Sequence, residues 1–465
     1  MLNLDTIDHT ILTAMLTIAH PKSTSLSFVR SRTAGLLVLL LGVVMTAQAQ
    51  LSKTEKKLAA SVDAHQAEAL KLLEEVVNIN SGTMNFDGVR KVGQVFRTKL
   101  DALGFKTQWV DGTPFNRAGH LVGRHTGKGK TILLIGHLDT VFELSSPFQK
   151  YTVENDSVVH GPGVGDMKGG DVVIIQTLQA LNDGGLLKDM NILVVMTGDE
   201  EMSGDPLSKS KYDLIEAAKE ADIAIGFEDG DGLTETANIS RRSASGWTLK
   251  VTGVPSHSSQ IFTDKIGAGA IYEASRILNG FYNDLSKEPD LTFNPGVILG
   301  GSTVEHNGDK NGGSAFGKEN IVAKEVIVTG DIRAISPEQL SKAQEIMKGI
   351  VARHLPQTQA EITFDEGYPP LAPSPGNYEL LKYFDQVSKD LGYGPVTANK
   401  PRDAGAADIS FTSGYVDMAI DGLGLGSAGG HTIHEIADPR TVAMQSKRTA
   451  VLLYRLTQQK PVPKR

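Results

Sequence analysis

The chain reads as an α/β protein: a body on a mainly parallel central sheet, interrupted by an inserted ferredoxin-like α+β unit. Three observations predict this. Short continuous apolar runs (Thr131–Ile135, Asn191–Met196, Ile223–Phe227) alternate with helical stretches, the pattern of strands covered on both faces. From about Arg242 the period changes to strict alternation, with Trp247, Leu249 and Val251 on one side. Later the α/β pattern resumes and closes on a helix. A length of 465 residues exceeds one ordinary core and suits such a composite.

Residues 1–49 read as a targeting segment. Arg30 and Arg32 precede the apolar run Ala34–Met45, and Thr46-Ala47-Gln48-Ala49 supplies small residues at an A-x-A site. The run is shorter than the roughly 20 residues a bilayer span needs. A Sec-type signal peptide cut near Ala49 is expected, leaving a periplasmic or secreted protein with no stable membrane span. An uncut N-terminal anchor is the alternative.

The next segments are the body, taken as residues 50–241. Ser52–Val77 predicts an amphipathic helix with Leu58, Val62, Leu70, Leu73 and Val77 as its stripe, and Lys91–Leu103 a second, stopped by Gly104. Helices Asp171–Leu181 and Ser208–Lys219 separate the apolar strands. The insert, residues 242–360, begins with the Trp247 strand and continues with a helix over Asp264–Leu285. Strands near Thr292–Leu299 and Ala323–Ile332 follow, then a helix opened by Pro337 and running to about Leu355. A last strand, Glu361–Phe364, completes β-α-β-β-α-β. Residues 361–465 return to the body and end in a helix, Thr441–Gln458.

Composition narrows the chemistry. A net charge of −8 lacks the basic footprint of a nucleic-acid binder. The absence of cysteine excludes a thiol nucleophile, a zinc–thiolate site, an iron–sulfur cluster and disulfides, so any metal falls to His, Asp and Glu. These residues gather at strand ends, where open α/β sheets place their sites. Gly136-His137-Leu138-Asp139-Thr140 follows the first strand; a His two residues before an Asp suits a ligand oriented by a carboxylate. Gly161-Pro162-Gly163-Val164-Gly165-Asp166 delivers Asp166 at a helix start, without the spacing of a phosphate or dinucleotide loop. Asp199-Glu200-Glu201 puts two adjacent carboxylates at another strand end, where a cation is the simplest compensation. Glu228 and Asp229 end a third strand, and His431, His434 and Glu435 come late. Singly, each has a plainer reading: His137 as a core histidine, Glu200-Glu201 as a solvated loop pair. Together they predict a site of hard oxygen ligands and imidazoles, suited to zinc, manganese or cobalt.

With those motifs in place, the chain resembles the co-catalytic zinc metallopeptidases and amidohydrolases of the carboxypeptidase G, acetylornithine deacetylase and succinyl-diaminopimelate desuccinylase type, over about residues 55–460. The motifs carrying the resemblance are Gly136-His137-Leu138-Asp139-Thr140, Gly165-Asp166-Met167-Lys168-Gly169-Gly170, Asp199-Glu200-Glu201 and His431-x-x-x-Glu435. The resemblance implies a zinc-exopeptidase-like catalytic domain with an inserted lid and dimerisation domain. It implies two divalent metal ions per subunit, zinc by family habit: His137 and Glu228 on one, Glu201 and His431 on the other, Asp166 between them. Asp139 would orient His137 and Glu200 would be the general base. His257, in Ser256-His257-Ser258-Ser259, would reach the site of a partner subunit in a homodimer, and Asn320 and Arg333 would grip a substrate carboxylate. His434 fits no motif position. Asp408, in Gly405-Ala406-Ala407-Asp408, matches a motif near the site, although Ala406-Ala407 departs from the commoner Gly/Ser or Gly/Thr. His65, His120, His125, His160, His306 and His354 lie outside the motifs and are expected on the surface or in loops. The expected activity is a metallo-carboxypeptidase acting on a small peptide; an N-acyl amino acid deacylase, a dipeptidase, and a binding relic that has lost its metals are the alternatives.

Overall fold

A computed structural model describes residues 51–308 and 312–458. The expected signal segment lies outside the described residues.

Two short helices open the body, α1 (Lys53–Ala64) and α2 (Gln66–Val77). Ser52 and Glu55 form a reciprocal capping box at the start of α1. The single helix expected over Ser52–Val77 is broken at His65, whose ring bonds Glu68 and Asp183. The apolar stripe runs on across the break, so periodicity alone hides it. Next come α3 (Phe86–Ala102), β1 (Lys106–Asp111), β2 (Gly119–His125), β3 (Lys128–His137), β4 (Thr152–Asn155), β5 (Val158–His160), α4 (Lys168–Asp183) and β6 (Met190–Thr197). They are followed by a single turn α5 (Leu207–Ser210), α6 (Tyr212–Glu220), β7 (Ile223–Gly226) and β8 (Thr236–Ala237).

The insert runs through β9 (Ser245–Gly253), α7 (Gly269–Leu285), β10 (Thr292–Gly301), β11 (Thr303–Asn307), β12 (Gly312–Phe316), β13 (Glu325–Arg333), α8 (Pro337–Val351) and β14 (Thr358–Phe364). The chain then returns through α9 (Pro375–Asp390), β15 (Thr397–Ala398), β16 (Met418–Ile420), β17 (Ser427–Ala428), β18 (Ile436–Ala437) and α10 (Arg440–Thr457).

The central sheet has the order β1-β2-β6-β3-β7-β16. β6, β3, β7 and β16 are parallel, and β1 and β2 add an antiparallel edge. The continuous apolar run in β3 now has its reason. Ile132 and Leu134 pack into the cluster that holds α1, α2, α4 and α10, while Leu133 and Ile135 pack with Leu214, Ala217 and Ala218 of α6. Both faces are covered, so no position can be polar.

The second sheet, β10-β13-β9-β14, is antiparallel throughout. α7 and α8 lie on one face, and Trp247 meets Phe281 edge to face at 5.9 Å in the core between them. This is the β-α-β-β-α-β unit, with a hairpin β11–β12 added that the sequence reading does not contain. The two connections to the body run side by side, Arg241 bridging Leu371 and Ala244 bridging Tyr368.

A small sheet, β17-β18-β5-β4, sets the loop 429–435 against the glycine-rich loop after His160. These two loops and the C-terminal ends of β3, β6 and β7 enclose one site.

Candidate active site and metal centre

His137 ends β3 and is 1% exposed. Its Nε2 lies 3.0 Å from Asp166 Oδ1 and 3.5 Å from Glu228 Oε1. Across the site, His431 Nε2 lies 3.0 Å from Asp166 Oδ2 and 3.2 Å from Glu201 Oε2. Asp166 therefore presents one carboxylate oxygen to each histidine. Ligand atoms of His137, Asp166 and Glu201 fall within 4.8 Å of one another, as do those of His137, Glu200 and Glu228. The structure thus gathers the whole expected set of His137, Asp166, Glu200, Glu201, Glu228 and His431 from five separate segments.

His431 sits at φ 61, in the left-handed region, after Gly429 at φ 74. Glu435 shows why the four-residue step matters: its carboxylate accepts from the backbone N–H groups of Gly163 (2.9 Å), Gly165 (2.9 Å) and Asp166 (3.1 Å). One loop supplies His431 and, four residues on, fastens the loop that supplies Asp166. Burial pushes the Glu435 carboxyl up to about 7 against the pull of those three bonds.

Asp139 meets His137 chiefly through its main chain. The oxygen nearest His137 Nδ1 is the backbone carbonyl of Asp139 at 3.1 Å, with the carboxylate at 3.5 Å. The carboxylate instead accepts from the backbone N–H of Glu200 (3.1 Å) and Glu201 (3.2 Å) and from the Thr83 hydroxyl (2.6 Å). The residue fixes the ring through its main chain and the glutamate pair through its side chain.

The donor set fits divalent cations. Burial, and then neighbouring carboxylates, push the Glu200 and Glu228 carboxyls well above their ordinary range; burial and Asp166 raise Glu201. Glu201 Oε1 is buried with no hydrogen-bond partner. Burial opposes charge on Asp166, but hydrogen bonds from His137 and His431 outweigh it and hold that carboxyl low. Hydrogen bonds to Asp166 and Glu201 lift His431 to about 11. Left to itself, the site can relieve the repulsion of its carboxylates only by holding protons, on the imidazoles or on the raised glutamate carboxyls. A cation does the same work and satisfies the orphaned oxygen.

A deeper layer was not read from the sequence. Lys211, fully buried, places Nζ 2.8 Å from Asp199 Oδ1 and 3.0 Å from Asp408 Oδ1. The Tyr368 hydroxyl shares its one proton between Asp408 Oδ1 (3.0 Å) and the Glu200 carbonyl (3.1 Å). His120 corrects the surface-or-loop expectation: it lies in β2, 1% exposed, stacked on Phe115. Its Nε2 donates to Ser210 O and its Nδ1 accepts from Gly198 N–H, which fixes the tautomer and pins the loop leading to Glu200. No local motif could have found these partners, because each joins segments tens to hundreds of residues apart.

Three expected residues stand apart. His257 is exposed, and among the described residues its ring bonds only to Ser259. The backbone of Asn320 pairs with the His257 loop, through Ser258 N–H. Arg333, at the opposite end of the insert sheet, bonds Asp331 through Nε at 3.1 Å. His434 is exposed, and its backbone N–H donates to Thr432.

Comparison with known proteins defines the class. Peptidase family M20/M25/M40 matches residues 133–459, and the chain belongs to that family; it is a metallopeptidase with carboxypeptidase relatives. Carboxypeptidase G2 of Pseudomonas sp. (strain RS-16) is 27% identical over 401 residues, covering 84% of this chain and 89% of that protein. Aminopeptidase PepT of Bacillus cereus has the same fold, with a TM-score of 0.65 at 16% identity, over 83% of this chain and 98% of that one. The YXEP protein of Bacillus subtilis, described as a dinuclear metal-binding peptidase, matches at 0.59 and 13% identity, over 85% and 99%.

Proposed function

We propose that the chain is a di-zinc carboxypeptidase that cleaves the amide bond next to a C-terminal amino acid. The observation carrying this reading is Asp166, whose two oxygens each face a histidine, with Glu228 on one side and Glu201 on the other. His137 and Glu228 would hold one ion, His431 and Glu201 the second, and Asp166 both. Bound there, the metals supply a water with its pKa lowered to about 7 and a polarised carbonyl.

The chain's own groups do the rest. Glu200 lies with His137 and Glu228 but outside the pairs that flank Asp166, so it is free to take the proton of the attacking water and pass it to the leaving amine. Its backbone is held by Asp139 and Tyr368, which fixes the point from which the side chain reaches into the site. Arg333 would take the substrate's carboxylate, since its Nε is engaged but, among the described residues, its two Nη groups are available for bidentate contact.

His257 and Asn320 cannot join Arg333 within one chain. The β9–β13 ladder runs from Ser245↔Ile332 beside the body to Thr252↔Glu325, seven steps or roughly 24 Å. Arg333 is at the near end. His257, which bridges to Ile321, is beyond the far end. This separation supports a homodimer in which His257 and Asn320 serve the site of the partner subunit. The oxyanion would then be stabilised in trans.

A deacylase runs the same chemistry on an N-acyl amino acid, and a dipeptidase differs in what flanks the bond. A screen of C-terminal glutamyl, aromatic and aliphatic dipeptides and longer peptides against N-acetyl amino acids, with and without chelator, decides among them. Peptides should be cleaved from the C-terminus, with two ions per chain by elemental analysis. Turnover of N-acetyl amino acids alone would overturn the carboxypeptidase reading. Residues 1–49 would direct export, and the protein recovered from the periplasm should begin near Gln50.

A further inference from the structure

Three guanidinium groups converge where the insert joins the body, and only one has an acid to balance it. Arg242 is 9% exposed; its Nη groups donate to Thr292 Oγ1 at 2.8 Å and to the Arg402 carbonyl at 3.0 Å, and its Nε is buried without a partner. Burial, and then the like charges of Arg333 and Arg402, lower the affinity of Arg242 for its proton. Asp331 is taken by Arg333, and Asp290, the other nearby acid, is beyond salt-bridge reach. Among the described residues no carboxylate pairs with Arg242 or Arg402. Buried arginine is ordinarily paired, so this is an excess of positive charge.

Beside this excess lies a cleft of about 310 Å³. Leu278, Phe281 and Tyr282 of α7, Leu291 just before β10 and Phe293 within it line its walls, together with Arg402 of the body. That volume is at the small end of the roughly 300–1,000 Å³ usual for ligand sites, and an apolar lining with one charged group is their usual composition. The cleft is on the side of the insert sheet that carries α7. Phe293 pairs with the core residue Ile332, and Thr292, whose hydroxyl accepts from Arg242, also lines the cleft. The metal ligands contribute nothing to its walls.

We propose that this cleft binds a small monocarboxylate with an apolar tail, the carboxylate on Arg402 in the field of Arg242 and the tail against Leu278, Tyr282 and Phe293. Such a ligand touches the insert and the body at once, at a place separate from the metal centre. The excess of positive charge selects against neutral and cationic analogues of equal length.

Calorimetric titration of the metal-loaded enzyme with octanoate, octan-1-ol and octylamine tests this. Octanoate should bind saturably at one site per chain, with octylamine and octan-1-ol at least tenfold weaker. Arg402→Gln, at an exposed position, should weaken octanoate at least tenfold while leaving peptide turnover unchanged, and Tyr282→Ala should weaken it severalfold. Chelation of the metals should leave octanoate binding intact. Equal binding of octanoate by Arg402→Gln, equal binding of octylamine, or loss of binding on chelation would each overturn the proposal.

Discussion

The strand-end cluster and the far tip of the insert hold equally demanding residues in opposite ways. At the cluster each functional carboxylate is held from behind: Asp166 by the loop that Glu435 fastens, Glu200 by Asp139 and Tyr368, Asp199 and Asp408 by Lys211. At the tip, His257 is exposed and its ring rests on Ser259 alone among the described residues. Preorganisation costs stability, and the chain concentrates it where charges must be kept close. The tip is left to be completed by whatever covers it. On the proposed reading, half of the site is held within one chain and the other half would gain its geometry on association.

Substitutions can break this contrast at either end. The largest effect is expected at Glu200. Glu200→Gln should retain two metals yet lose roughly 10²–10⁴-fold or more in kcat, whereas Glu201→Gln should weaken metal retention. Metal analysis beside steady-state kinetics separates the two, and loss of metal from Glu200→Gln would show the roles to be exchanged.

Next is the buried lysine. Lys211→Met leaves Asp199 and Asp408 without their cation and should cost about 3–5 kcal/mol in thermal or denaturant unfolding. Burial pushes Asp199 up, but the Lys211 charge and the hydrogen bonds from Lys211 and Ser210 outweigh it and hold its carboxyl at about 2. Because the folded pKa is depressed, this stabilisation is complete above about pH 4 and is lost as pH falls toward 2. The fall in stability between pH 4 and 2 should therefore shrink in Lys211→Met. An unchanged acid limb would show that the pair contributes nothing.

At the tip, His257→Ala should keep fold and metals and lose about 10²–10³-fold in turnover. Mixing is the sharper measurement. Inactive His257→Ala and Glu200→Gln chains refolded together should recover activity toward half of the parent dimer, since one site then joins an intact Glu200 to an intact partner histidine. Heterodimers without activity would show that His257 acts within its own chain or not at all.

The smallest effect tests the choice between two histidines. His431→Ala should remove one metal, while His434→Ala should change neither metal content nor kcat, because only His431 approaches Asp166 and Glu201. A His434 nitrogen about 2.0–2.1 Å from zinc in a crystal would reverse the assignment.

What was legible in the chain follows from range. Apolar runs ending in His137, Glu200 and Glu228 announce strands that deliver ligands, because burial on both faces writes itself into consecutive residues. The alternation through Trp247, Leu249 and Val251 announces the insert for the same local reason. β1 and β2 were missed: the first is largely exposed, and the second carries Gly119, His120 and Gly123 among its apolar residues. His120, Lys211 and Tyr368 were missed because their meaning depends on Gly198, Asp408 and Glu200, partners that only the fold brings near. The break at His65 was missed because a helix stripe can continue through a change of axis.

The paired connections between body and insert have a consequence for the lineage of such enzymes. Arg241 with Leu371 and Ala244 with Tyr368 bring the two ends of the insert to one strand spacing, about 4.5–5.5 Å between α-carbons. A tight turn could bridge that gap. The insert is in that sense a cassette, open to exchange or excision without rethreading the body. Tyr368, the last rung of the ribbon, also donates to the Glu200 carbonyl. Any exchanged cassette would inherit, through that one hydroxyl, a mechanical link to the proposed base.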